Sequence, residues 1–456
     1  MNQRERFSGR LGFILLSAGC AIGIGNVYKF PIMTGYYGGG FFLLFYLLFL
    51  LILGVPVMTM ELSIGRASQS SFAHTFDILQ KPKHKWNLWK YGSIVGNYAL
   101  MMCYVVIVSW IAIYFGKFIT GSISSATTVE ALGDTFGGVV SAPGLQTVVS
   151  FIIIIVCFAI CALGLKNGVE RASKVLMVML LLIIVGMGVY CSTAMSGAKE
   201  GIAFYLIPSL SRLKEVGVMN TIEAAMAQAF FTLSLGMGNI AIFGSYIEKD
   251  RSLMGEGIVI IILDTFVALM SGFIIFPACY TYAGSVQADG SVGASFVFTT
   301  FSSVFNNMKG GRILGIFFFA LLLFAAVSTV LAVFENIVAY WQDTTKLSRP
   351  VICLINIGII CLGVLPAILG NNVWSDFTIF GQAVLDFEDG LVSKFILPFG
   401  SLLICLFCSL RFGWGYDKFL EEANTGKGPK FPRWAKPYCQ FVLPLIIAVV
   451  MVLSFV

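Results

Sequence analysis

Charge is scarce in this chain. Asp, Glu, Lys and Arg make up only 11% of its 456 residues, against roughly 25% in soluble domains. Hydrophobic residues make up 58%, and the mean hydropathy is +0.90. That balance excludes a water-soluble globule, and no nucleic-acid partner is expected. Histidine is scarcer still. His74 and His84 are the only two, both in one basic loop, so no histidine-based zinc site or catalytic dyad can be assembled. No GxxxxGK[ST] phosphate loop and no CxxC…CxxC spacing occurs. The eleven cysteines, at 20, 103, 157, 161, 191, 279, 353, 361, 405, 408 and 439, fall almost entirely within apolar runs and read as small buried hydrophobes. No cleavable signal peptide is evident, because Met1–Arg10 is polar and the apolar run after it lacks a small-residue cleavage site. Neither paired catalytic acids nor a cofactor loop is present, so the chain does not read as an enzyme.

Long apolar runs are what the chain has in quantity. About 20 apolar residues suffice to cross a bilayer, and such runs fall near 11–35, 40–63, 92–118, 146–164, 172–193, 218–246, 256–282, 312–341, 350–370, 391–411 and 438–456. The fold class expected is therefore an all-α polytopic membrane protein with eleven transmembrane helices, one domain over 1–456. Most of the 29 lysines and arginines lie in alternate connections, whereas Gly121–Gly144 and Asn371–Asp389 contain none. By the positive-inside rule the N-terminus is cytoplasmic, and eleven spans leave the C-terminus outside. A cell (inner) membrane location follows. The segment Gly293–Asn307 (GASFVFTTFSSVFNN) is aromatic but short, and reads as an external helical lid or re-entrant loop.

Two of the runs carry the same interruption. The first contains AIGIGN at 21–26 and the sixth SLGMGN at 234–239. Each glycine lowers helix stability by ~1 kcal/mol against alanine. A break in hydrocarbon also frees peptide groups that lipid cannot satisfy. Glycines packing neighbouring helices closely would explain one such motif, but the matched pair points to two repeats. They span 10–193 (spans 1–5) and 218–411 (spans 6–10), with the last run at 436–456. Five spans per repeat is odd, so the second repeat enters from the opposite face and both breaks meet at the midplane, where secondary transporters bind their cargo. Freed carbonyls can hold a desolvated cation or an ammonium. The start of the next half-helix offers N–H groups to a carboxylate.

The motifs GCAIGIGNVYKFP at 19–31, GGGFF at 38–42, QAFFTLSLGMG at 228–238, YIEKD at 246–250, FAAVSTVLAVFE at 324–335 and LDFEDG at 385–390 run along nearly the whole chain. Together they resemble the neurotransmitter:sodium symporter family, in particular its bacterial amino-acid transporters. The resemblance implies sodium-coupled import of a neutral L-amino acid by alternating access. It implies a first sodium site from the Ala21 carbonyl, Asn26, Thr232 and Asp264, and a second from the Gly19, Ile22 and Ala325 carbonyls with the Ser328 and Thr329 hydroxyls. Sodium as a hard cation fits such oxygen sets. Substrate backbone would meet Ala21, Ile24, Gly25, Tyr104, Phe231, Thr232 and Ser234, and its side chain Cys20, Leu100, Phe231, Met237, Thr329 and Val333. That uncharged pocket favours a large hydrophobic or aromatic side chain. An outer gate would pair Lys29 with Asp389, and an inner one Arg4 with Asp343, supported by Tyr246 and Glu335. Glu61 in span 2 is a further buried acid, expected to satisfy backbone near a break.

Some positions depart from the family pattern. Met237 replaces a common phenylalanine, Lys29 an arginine, and Val178 a proline that kinks span 5 in many relatives, leaving Gly164 and Gly168 to supply that weakness. Asp264 stands where many members have asparagine, and Ala268 where chloride-dependent ones have serine. A fixed carboxylate there implies that no chloride is required. The partners expected are the bilayer and an L-amino acid, with the oligomeric state left open, a functional monomer included. The other readings are a sodium-coupled carrier of a different organic zwitterion, and a channel or facilitator.

Overall fold

The computed structural model describes residues 7–282 and 294–454. Secondary structure among them is helical, without a named strand. Among the described residues nine helices are long and apolar enough to cross a membrane, and a tenth span is the pair Arg10–Ala21 and Gly25–Tyr36, bent by 60° at the AIGIGN motif. The remaining apolar run is split into Val218–Leu233 and Asn239–Gly244, too short to span singly. Both breaks thus fall where the paired glycines stand.

Burial ranks the spans. In the Gly311–Thr344 helix 72% of the most apolar stretch is buried inside the protein, against 33% for Pro143–Ala162 and 28% for Arg433–Leu453. The former is the central post, packed against Trp86–Thr120, Leu165–Ala194 and Arg10–Ala21. The latter two present rows of leucine, isoleucine and valine outward, as lipid-facing helices do. Ten of the eleven cysteines are buried and the other is half-buried, all as free thiols.

Span 5 begins at Gly164, whose φ of 93° admits glycine far more readily than other residues, and continues through a wide turn, Leu165–Val169. A Cβ on Gly168 would collide with the Ile160 carbonyl. Val178 lies further on, in unbroken helix Glu170–Ala194. The irregularity therefore sits at the two glycines. The 294–306 segment forms short helical turns that lash to the 123–127 loop, with Asn306 donating to the Ile123 and Ala126 carbonyls at 2.8 and 2.7 Å. It does not span.

One end of the bundle is tied by buried ions. The Arg66 side chain, fully buried at the end of span 2, donates to a Glu422 carboxylate oxygen at 2.6 Å and to the Arg251 carbonyl at 2.7 Å. Lys249 reaches the other Glu422 oxygen at 3.3 Å. The loop beyond Glu422 adds backbone bonds, Lys427 N–H to Asp250 at 2.8 Å and Ser252 N–H to Lys427 at 2.9 Å. Removing one partner of a buried pair strands the other charge, at ~3–5 kcal/mol. Glu422→Ala is expected to lower the melting temperature in detergent markedly, and Arg66→Met/Glu422→Met to recover most of the loss.

Candidate functional site

The site is built from the two breaks and the helices that repair them. In span 1, helix ends at Ala21, and Ile22 turns extended with ψ 94°. The Gly23 N–H donates to the Asn26 Oδ1 at 3.1 Å, and the Ile24 N–H to the Tyr104 hydroxyl at 3.3 Å. A Cβ on Gly23 would stand 3.1 Å from both Thr329 Oγ1 and the Tyr104 hydroxyl, so spans 1, 3 and 8 converge there.

In span 6, Ser234, Gly236 and Gly238 all have positive φ. Their loosened peptide groups have partners. Glu61 accepts from the Gly236, Gly238 and Ile240 N–H groups at 2.8, 3.1 and 3.3 Å. Trp89 Nε1 donates to the Gly236 carbonyl at 3.2 Å. The Met237 carbonyl receives Ser93 at 2.6 Å, Asn97 at 3.1 Å and Asn336 at 3.4 Å. Glu61 thus performs its expected task. Trp89, Ser93, Asn97 and Asn336 were not foreseen, although a polar side chain deep in an apolar span is a usable signal.

Two oxygen clusters flank the breaks. In the first, Asn26 Nδ2 reaches Thr232 Oγ1 and Asp264 Oδ1, both at 2.8 Å, and Thr232 Oγ1 lies 3.1 Å from Asp264 Oδ2. Ala21 is buried at the adjoining helix end. Beside this cluster Ala268 is buried, and Ser271, one turn on, donates to the Asn26 carbonyl at 2.9 Å. In the second, Ser328 Oγ contacts the Gly19 and Ala325 carbonyls at 3.1 and 2.8 Å. Thr329 Oγ1 lies 3.3, 3.5 and 3.3 Å from Gly19, Ile22 and Ala325. All five groups of that set are together.

Leu100, Tyr104, Phe231 and Ser234 are half-buried beside the breaks. Cys20 and Val333 are fully buried behind them, and Thr329 nearly so. Met237 packs with Val392, Ile396 and Leu397, against Leu100 and Phe231. The Phe231 ring lies over Gly25, where a Cβ would come within 2.7 Å of it.

The outer ion pair is not formed. The Lys29 ammonium rests 3.7 Å from the centre of the Phe231 ring, and among the ion pairs of the described residues none joins it to Asp389. A lysine is a point charge without arginine's fork, and an aromatic face supplies a nearby partner for it. On the opposite side, Asp343 accepts from the Ser71 N–H at 2.8 Å and Ser70 Oγ at 3.1 Å. Arg4, its expected partner, lies outside the described residues. Tyr246 donates to Glu335 at 3.1 Å, and Arg349 also forks onto Glu335 and donates to the Cys161 carbonyl at 2.6 Å. From sequence Arg349 carries no signal of this role, because a cation at the end of a span is equally at home at the membrane edge.

Interrupted spans whose free ends are repaired by side chains, beside oxygen-lined clusters, define a helical membrane transporter of the broken-helix class. The model of the sodium:neurotransmitter symporter family matches residues 4–133 and 135–456. An uncharacterized sodium-dependent transporter of Haemophilus influenzae is 31% identical over 99% of the chain and 98% of its own length. The mouse sodium-dependent neutral amino acid transporter B(0)AT2 is 25% identical over 60% of the chain and 40% of that protein. Among solved structures, MhsT in complex with L-phenylalanine superposes with a TM-score of 0.85 at 34% identity, covering 99% of both chains. The chain belongs to the sodium:neurotransmitter symporter family. It is a sodium-dependent, multi-pass membrane transporter and not an enzyme.

Glu61→Gln replaces an acceptor oxygen with an NH2 group facing backbone donors, and each buried donor left unsatisfied costs ~1–3 kcal/mol. The variant is expected to unfold at lower temperature and to show faster amide exchange over residues 234–240 by hydrogen-exchange mass spectrometry.

Proposed function

We propose that the protein imports a neutral L-amino acid with a large hydrophobic or aromatic side chain, coupled to two sodium ions and without chloride. The observation that carries this reading is the meeting of both oxygen clusters with the two breaks, beside the uncharged side chains of Leu100, Phe231 and Met237. The MhsT complex with L-phenylalanine supports the substrate class. Asn26, Thr232 and Asp264, with the Ala21 carbonyl, hold the first ion, and Gly19, Ile22, Ala325, Ser328 and Thr329 the second. The substrate carboxylate completes the first site. It displaces the Tyr104 hydroxyl from the Ile24 N–H and lifts Phe231 from Gly25, so cargo and ion stabilise each other. The ammonium meets the Ala21, Phe231 and Thr232 carbonyls and the Ser234 hydroxyl, while Leu100, Met237 and Val333 receive the side chain. Residues 10–193 and 218–411 act as inverted repeats that rock about this site, with the N-terminus cytoplasmic.

Two sodium ions crossing about 100 mV gain roughly 4.6 kcal/mol, enough for about a 10³-fold gradient of a neutral substrate at ~1.4 kcal/mol per decade. Asp264 supplies the negative charge beside the first ion, which removes the need for a bound anion.

A thermal-shift panel of twenty amino acids is expected to raise the melting temperature most with tryptophan, tyrosine, phenylalanine, leucine or methionine in sodium, and with none in potassium. Ser328→Ala is expected to abolish the sodium dependence. Glycine or proline outcompeting tryptophan in uptake would overturn the substrate class and favour another zwitterion. Asp264→Ala is expected to lose uptake, whereas replacing chloride by gluconate is expected to leave wild-type uptake unchanged.

A further inference from the structure

Away from the transport site, a groove of about 540 Å³ opens between the start of the Trp86–Thr120 span and the end of the Val384–Ser409 span. Trp86, Leu88, Trp89, Phe399, Leu403 and Phe412 form its apolar wall. The rings are fixed. Trp86 stacks on Phe412 at 6.0 Å and donates its N–H to the Phe412 carbonyl at 3.1 Å. Trp89 meets Phe399 edge-on at 5.3 Å. With both indole N–H groups engaged, what the groove offers is ring faces and leucine side chains. Leu88 and Phe412 are 59% and 49% exposed, so the wall is open to the surroundings.

The rim is cationic. His84 and Lys85 border the groove, and Lys81 and Lys83 beside them are exposed, as is Arg411 at its far edge. The Lys81 ammonium donates to the Arg411 carbonyl, which holds the two edges together. The nearby acid, Asp77, is already paired with Lys90 at 3.1 Å and Asn87 at 2.6 Å, and so does not offset Lys83 or Lys85. An aromatic groove at a span end with a positive rim is complementary to an amphiphile carrying an anionic head.

We propose that this groove binds an anionic glycerophospholipid from the adjoining leaflet, with an acyl chain along Trp86, Leu88 and Phe399 and the phosphate toward Lys83 and Lys85. The site bears on transport through Trp89. One side of its ring lines the groove, and its N–H holds the Gly236 carbonyl in the break of span 6. A Cβ on Gly400 would strike both that carbonyl and the Trp89 ring, so groove, ring and break are packed without slack. A lipid seated in the groove fixes Trp89 and thereby the break.

The test is native mass spectrometry of the full chain released from nanodiscs with equal phosphatidylglycerol and phosphatidylcholine. Wild type is expected to retain one phosphatidylglycerol in preference. Lys83→Gln/Lys85→Gln, changed only at exposed positions, is expected to lose about 30-fold in that affinity, or ~2 kcal/mol at ~1 kcal/mol per lysine. Quenching of tryptophan fluorescence by brominated-chain phosphatidylglycerol is expected to fall in the same variant. Equal retention of the two lipids, or unchanged retention in the double variant, would overturn the proposal. So would displacement of the lipid by soluble glycerol 3-phosphate, which would mark a phosphate site without a lipid role.

Discussion

Peptide groups inside a bilayer have no water to fall back on, and this protein opens two helices there. Everything around the site follows from finding those groups partners. Glu61 gathers three N–H groups of span 6, while Trp89, Ser93, Asn97 and Asn336 take its carbonyls from spans 3 and 8. In span 1 the freed N–H groups go to its own Asn26 and to Tyr104, and the freed carbonyls to Gln228, Ser271, Ser328 and Thr329. The difference is chemically meaningful. The span 6 break is held by fixed protein groups, whereas the Ile24 amide rests on a hydroxyl that an incoming carboxylate can replace.

Much of this was legible in the sequence because it is local. Paired glycines followed by asparagine within AIGIGN and SLGMGN weaken helix locally, and both breaks fall there. Ser328-Thr329 and Asp264 were conspicuous as oxygen donors in apolar runs, and the structure gathers each with the other groups of its set. The 294–306 segment was too short and polar to span, and it does not.

The rest depends on which distant residues meet, and no local pattern encodes that. Arg66 and Glu422 are 356 positions apart, and each alone looks like a loop charge. Arg349 reads equally well as a membrane-edge cation until Glu335 is placed beside it. Lys29 shows the reverse difficulty. Charge sign alone pairs it with Asp389, yet a ring face can compete for an ammonium, and Phe231 lies at 3.7 Å. Trp89 and Asn97 sit in a helix whose apolar character conceals their inward-facing polar atoms.

The central Gly311–Thr344 helix carries one further implication. On a single unbroken rod it bears Thr329, then Glu335 and Asn336, which touch respectively the second oxygen cluster, the Tyr246–Arg349 network and the span 6 carbonyl. At ~1.5 Å rise per residue these three contacts lie within about 10 Å along the axis. A stiff rod cannot yield at one level and hold at another. Sliding or tilting of the partner helices must therefore register along its length in concert, which gives the two ends of the pathway a common mechanical reference.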